Sequence, residues 1–480
     1  MVVSAPDKTI SVEPKLSDAP PKRRNWLAFV AACLALQLGA LLFTECVLYV
    51  AGLGEEEIFA FDKELGTKHM TNKRITWRSE GFGCTYLDAD GLQDPGLTVA
   101  KPANTYRVAV LGDSMVEGLQ VPGDKKFTRL LNRSVKLANG KNVQFVNFGT
   151  SGYSTAQEYT QLKNQVFKYA PDMVVVCYHS RDIFENWSPP DATLTNIRPV
   201  AICLPGQPLV VSNAAIQEWM KSPRAKFLQS ISWIRQNSRI WGLISAMETE
   251  LSFNDKTYQT IMELVTRPKK ALKRIWEENS KPERWDVTKW FASSGSSGPS
   301  FNIQFFEGKD PNAQVNKSFP TGAQKKKKKQ NAERVAKAKA AAAAAAAQPK
   351  KPVTEGERNY IKLMSRTLDA LVTEMNAMCA KHNTKFVMVS LPARLGVAPL
   401  PGAETTMYGL DYAGEVDIVR ESCAAKNIPF CDLLQPATQQ LSEDKKKSMF
   451  YSLHLAPEGH KFIADQLTPF FEKECNNVGR

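Results

Sequence analysis

The chain has 480 residues, 43% of them hydrophobic, which suffices for one large domain or two to three ordinary ones and excludes a disordered tail or a miniprotein. A formal charge of +13 would suit a nucleic-acid-binding protein, but the excess is local: residues 322–352 carry nine Lys and Arg334 against Glu333 alone, and the first 25 residues hold five basic and three acidic side chains. The rest is close to neutral, so no nucleic-acid surface is implied. The nine Cys include no CxxC pair and only His69, His179, His382, His454 and His460 are present, so neither a metal site nor a cofactor is expected.

In chain order, a polar tail (1–25) precedes an apolar run over 26–53, in which Gln37 and Glu45 are the only strongly polar side chains. About 20 apolar residues span a hydrocarbon core, so this run predicts a transmembrane helix seated in the lipid bilayer. It is too long for the apolar region of a cleaved signal peptide, about 7 to 15 residues, and lacks the polar face of a buried core helix. Lys22, Arg23 and Arg24 precede it and Glu55, Glu56 and Glu57 follow, so the positive-inside rule puts the N-terminus in the cytoplasm and the bulk of the chain outside it. Seven Cys lie beyond the run, an odd number that leaves at least one without an intramolecular partner in an oxidising compartment.

Residues 54–104 have no clear period and read as a juxtamembrane segment packing on the domain beyond it. Three apolar runs come next, Tyr106–Leu111, Val143–Phe148 and Met173–Tyr178, with an amphipathic helix over Ala156–Lys168 between the last two. The alternation predicts a parallel α/β sheet, whose first half spans 105–210. Its second half, 356–480, contains a helix through Ile361, Met364, Leu368, Leu371, Met375 and Met378, a strand over Lys385–Leu391, a helix over Val416–Lys426, a short strand over Ile428–Cys431 and a final helix from Pro457 to about Cys475. Between the halves lie a helical insertion (211–292) holding six of the nine Trp, and a Lys/Ala-rich stretch (293–355) expected to be a solvated linker. Core packing of a helical cap is the expected use of those Trp, ahead of stacking on sugars or anchoring at a membrane surface.

Gly112-Asp113-Ser114 directly follows a strand, and ligands of open parallel sheets bind outside the strands' carboxyl ends. A serine hydroxyl needs a base to become a nucleophile. His454 is the candidate base, in a loop just before the final helix; His460 falls inside that helix and is expected to pack or face solvent.

Four blocks in order resemble the SGNH/GDSL hydrolase superfamily across most of residues 100–200 and 355–475. They are LGDSMVEG (Leu111–Gly118), VNFGTSGYS (Val146–Ser154), His179-Ser180-Arg181-Asp182 where that family has Gly-x-Asn-Asp, and Tyr451-Ser452-Leu453-His454 where it has Asp-x-x-His. The resemblance implies a flavodoxin-like parallel sheet sandwich carrying the long helical insertion and the N-terminal transmembrane helix. It also implies Ser114 as nucleophile, His454 as base, and an oxyanion donor at the backbone N–H of Gly152. Two positions depart from the pattern. Arg181 replaces the Asn donor, and a guanidinium still donates hydrogen bonds. Tyr451 replaces the triad acid, leaving the orientation of His454 to a backbone carbonyl or another acid such as Asp432.

The expected function is therefore a membrane-anchored, extracytoplasmic esterase acting on an O-acyl or O-acetyl ester, with a surface carbohydrate as the expected carrier of that ester. Two alternatives share the fold: an O-acyltransferase using the same site, and a catalytically silent carbohydrate-binding or assembly protein. The sequence does not specify the oligomeric state.

Overall fold

The apolar run beginning at Trp26 forms one helix, α1 (Trp26–Ala51), with a mean hydropathy of 2.2 and its side chains almost wholly exposed. At 1.5 Å rise per residue it is about 39 Å long, enough to cross a bilayer. The computed structural model describes residues 26–51, 53, 57–77, 80–94, 96–187, 197–244, 353–400, 403 and 405–476. The Lys/Ala-rich stretch up to residue 352, and Trp276, Trp285 and Trp290 of the insertion, lie outside them.

The chain beyond α1 starts with two antiparallel hairpins, β1 (Phe59–Asp62) with β2 (Gly66–His69), and β3 (Lys73–Trp77) with β4 (Gly83–Leu87). This segment is more than a tether. Ile58, Ile75 and Leu87 bury themselves against Leu119, from the loop beyond the next strand. Close approach is enforced at Gly83, where a Cβ would lie 2.0 Å from the Leu119 carbonyl oxygen.

The predicted apolar runs form β5 (Thr105–Leu111), β6 (Asn142–Asn147) and β7 (Met173–Tyr178). Short helices α2 (Ser114–Glu117) and α3 (Phe127–Ser134) follow β5; α4 (Thr155–Asn164) follows β6 and α5 (Asp182–Glu185) follows β7. The predicted Ala156–Lys168 helix breaks at Gln165 and closes in a 3₁₀ turn over Val166–Tyr169. A hairpin of β8 (Val200–Ile202) and β9 (Val210–Ser212) leads to α6 (Ala214–Lys221), α7 (Pro223–Ser230) and α8 (Ser232–Asn237). The second half contributes α9 (Glu355–Lys381), β10 (Lys385–Ser390), a small hairpin of β11 (Thr406–Met407) and β12 (Leu410–Asp411), α10 (Tyr412–Ala425), β13 (Phe430–Asp432) and α11 (Pro457–Asn476).

Five strands pair in parallel in the order β13-β10-β7-β5-β6, the flavodoxin-like arrangement. β5, β7 and β10 are buried at nearly every position, as strands covered on both faces must be, which is why they read as continuous apolar runs. α3 packs with α11, while α9 packs with α4 and α10. The order reverses between β5 and β7, and the crevice at that switch point lies beyond Leu111 and Tyr178.

The Asn residues of Asn132-Arg-Ser and Asn186-Trp-Ser, both N-glycosylation-type sequences, serve the fold: Asn132 Oδ1 accepts from Phe145 N at 2.6 Å, and the fully buried Asn186 accepts from Ala156 N at 2.7 Å.

Because Leu87 shares a core with Leu119, residues 57–94 are expected to unfold with the sheet. Leu87→Ala should destabilise by about 2 to 5 kcal/mol in urea unfolding and retain a single transition; a separate early transition would show the hairpins to be an independent unit.

Candidate active site

The turn after β5 is sterically tight. A Cβ on Gly112 would meet Val116 Cγ2 at 2.2 Å, so a glycine is needed where the strand gives way to α2. Asp113 caps α2, its Oδ1 accepting from Met115 N at 2.9 Å. Ser114 thus stands at the first turn, partly exposed between buried neighbours.

The last sequence block forms a narrow turn closed by the Phe450–Leu455 bridge and by Tyr451 N donating to His454 O at 2.9 Å. This turn carries His454 to Ser114: Nε2 lies 3.1 Å from Ser114 Oγ. The opposite ring nitrogen, Nδ1, lies 2.6 Å from Oε2 of Glu80, a residue between β3 and β4. Glu80 Oε1 accepts from three successive backbone N–H groups, those of Ser452 at 2.6 Å, Leu453 at 2.6 Å and His454 at 3.1 Å. Such a nest binds an anion as a helix N-terminus does. Burial of the Glu80 carboxyl works to raise its pKa, but hydrogen bonds from the His454 ring and from the N–H groups of Leu453 and His454 hold it at about 2.

Tyr451 fills the place from which an acid three residues before His454 would act. Its ring lies against Gly81, where a Cβ would come within 2.5 Å of Tyr451 Cε2 and 2.4 Å of the Gln120 oxygen, and the +74° φ of Gly81 also favours glycine. Asp432 is engaged elsewhere, accepting from Ser390 Oγ at 2.9 Å and Leu434 N at 2.8 Å and pairing with Arg420. The carboxylate beside His454 is therefore Glu80, which the sequence reading missed.

Gly152 and Arg181 lie in loops tied to the same turn. Thr150 N donates to Gly112 O at 3.0 Å, and Asn147 Nδ2 donates to Val116 O at 2.7 Å, which draws the loop after β6 against α2. Gly152 has φ +75° and is exposed; neither its N–H nor that of Ser114 makes a hydrogen bond among the described residues. His179 ties the loop after β7 to Asp113 through Nδ1 to Oδ2 at 2.8 Å. Burial opposes charge on both groups, yet their mutual attraction raises the His179 pKa and lowers that of Asp113. Arg181 adopts φ +75° and donates its backbone N–H to Glu415 Oε2 at 2.8 Å. Its guanidinium makes no hydrogen bond or ion pair among the described residues: Asp182 accepts from His179 N, and Glu185 pairs with Arg198. His460 is fully buried, accepts weakly from Phe127 N at 3.3 Å and has its pKa pushed down to about 3 by burial and by Lys126, so it does not join Ser114.

Behind α2, Glu117 is fully buried and joins three segments. Oε1 meets His69 Nε2 at 2.5 Å, Oε2 accepts from Ser151 Oγ, and the backbone oxygen accepts from Lys126 Nζ at 2.8 Å. His69 Nδ1 is held by Gly91 O at 2.9 Å. One carboxylate thus fixes α2 to the loop bearing Gly152 and to β2.

Fold and site together give a doubly wound α/β sheet with a serine–histidine–carboxylate chain at its carboxyl edge. Among solved structures the chain is similar to a GDSL-like lipase from Bacteroides thetaiotaomicron VPI-5482, with 9% identity, a TM-score of 0.30 and coverage of 79% of this chain and 93% of that one. It is also similar to an alpha/beta hydrolase enzyme from the metagenome of Lake Arreo, Spain, with 10% identity, a TM-score of 0.29 and coverage of 78% and 97%. No protein-family model and no curated protein sequence matches the chain.

Glu80 titrates near 2 when folded against an ordinary value of 4.5, so the stability from its docking is fully present above about 4.5 and is lost as pH falls through about 2. Unfolding curves of the wild type and Glu80→Gln should differ at neutral pH and converge as pH falls through that window; a pH-independent difference would contradict the ionised nest. Removing the Glu117 bridge should also show: Glu117→Ala is expected to destabilise by about 3 to 5 kcal/mol, because His69 and Ser151 lose the carboxylate they bond, in chemical denaturation.

Proposed function

We propose that the chain is a membrane-anchored esterase of the SGNH type that hydrolyses an O-acyl ester outside the cytoplasm through a covalent acyl-serine. One observation carries the reading: the continuous hydrogen-bonded chain from Ser114 Oγ through both ring nitrogens of His454 to Glu80.

In this mechanism His454 Nε2 takes the Ser114 proton as Oγ attacks the ester carbonyl. Glu80 keeps the remaining proton on Nδ1 and stabilises the imidazolium as it forms. The N–H groups of Ser114 and Gly152 receive the oxyanion, with the Arg181 guanidinium adding positive charge. Collapse expels the alcohol, which takes its proton from His454. Water then enters, loses a proton to His454 and releases the acid and free Ser114.

Three Glu residues follow α1 and three basic residues precede it, so the mechanism is assigned to the outward side of the membrane. Acylated surface glycans are the substrate class we assign on that side.

The protein should hydrolyse a short-chain aryl acetate, with kcat falling about 10⁴-fold or more in Ser114→Ala and His454→Ala. Glu80→Ala should lose about 10³ to 10⁴, and Arg181→Met about 10² to 10³ if its charge faces the oxyanion. A wild-type rate equal to that of Ser114→Ala would refute the hydrolase reading.

A further inference from the structure

Trp233 does not pack in a helical cap. It is 73% exposed, and Phe227 (58%), Ile234 (46%) and Ile244 (51%) stand out beside it. Trp219 alone of this group has a ring partner among the described residues, stacking on Phe61 at 5.5 Å. α7 and α8 run on from one another through Ile231, whose N–H donates to Phe227 O at 3.2 Å and whose oxygen accepts from Arg235 N at 3.0 Å.

The arm is bound to the part of the chain that follows α1. Arg235 pairs with Glu57, Lys73 Nζ donates to Glu57 O at 2.9 Å and to Gln236 O at 2.8 Å, and Asn213 Nδ2 donates to Glu64 Oε2 at 2.9 Å. Glu57 is six residues beyond Ala51, and six residues reach at most about 22 Å. An arm fastened to Glu57 is therefore leashed to the end of α1.

Charge points the same way. Residues 213–244 carry five basic side chains and Glu218 as the only acid. Arg224 and Lys226 are exposed and form no ion pair among the described residues. Exposed aromatic and branched apolar groups among unpaired cations suit a bilayer interface with anionic headgroups.

We propose that α7 and α8 dock on the surface of the bilayer entered by α1, with Phe227, Trp233 and Ile234 reaching the headgroup–acyl boundary and Arg224 and Lys226 meeting anionic headgroups. The proposal rests on α1 crossing the membrane, part of the functional reading, and is independent of the esterase chemistry. Docking would fix the domain in a set orientation above the membrane.

The test places the full-length protein in nanodiscs of anionic lipid brominated near the headgroup. The fluorescence component lost in Trp233→Phe should be quenched by at least about half, and Arg224→Glu with Lys226→Glu should reduce that quenching. The component lost in Trp26→Phe reports α1 itself. A quenched Trp26 with an unquenched Trp233 overturns the docking while leaving the anchor intact, whether Trp233 meets water or another segment of the chain. If neither is quenched, α1 does not enter the bilayer and the docking falls with it.

Discussion

Everything at the candidate site turns on one half-buried carboxylate. Glu80 places one oxygen on His454 Nδ1 and the other in a nest of three backbone N–H groups from the same turn. The first contact fixes the ring for Ser114; the second fixes the backbone that carries the ring. A carboxylate in that position must be ionised to do either, and the hydrogen bonds that hold its pKa at about 2 keep it so. Orientation of the His454 ring and shape of the loop thus have a single cause.

That cause comes from outside the sheet. Glu80 sits between β3 and β4, whose hairpin is locked to the sheet through Ile75, Leu87 and Leu119, while His69 of β2 reaches Glu117 behind the serine. The hairpins supply both the acid before the serine and a bridge behind it. A group of side chains held from two sides by a packed segment is held more firmly than one resting on a loop alone. It also means that a domain beginning at β5 would retain Ser114 and His454 but lack what orients them.

The sheet was legible in the sequence because its inner strands are buried on both faces. VAVL and VVVCY are unbroken apolar runs, FVNF is interrupted only by Asn147, and long apolar periodicity marks α9. Ser114 and His454 were legible because each sits at a strand or helix boundary in an ordered block. Glu80 was not, since 374 residues separate it from His454 and nothing in the local string SEGFG distinguishes a ligand of a distant turn from a solvated loop acid. The clue lay in the opposite direction: Tyr451 stands where the SGNH/GDSL pattern that the sequence resembles has an acid, and Gly81 is the small residue that lets the Tyr451 ring come close. The insertion's Trp were read as core packing; Trp219 stacks on Phe61, whereas Trp233 is exposed, because composition reports hydrophobicity and not what covers it. His460, which the sequence left between packing and exposure, is buried, its ring stacked on Phe127 at 5.9 Å.

The central claim is that Ser114 is a nucleophile activated through His454 by Glu80. It is tested most directly, without knowledge of the substrate, by the rate at which a fluorophosphonate modifies the protein, with the labelled residue located by mass spectrometry. The account predicts stoichiometric labelling at Ser114, slowed at least about 100-fold in Glu80→Ala. Labelling that spares Ser114, or proceeds at the same rate without Glu80, would contradict it.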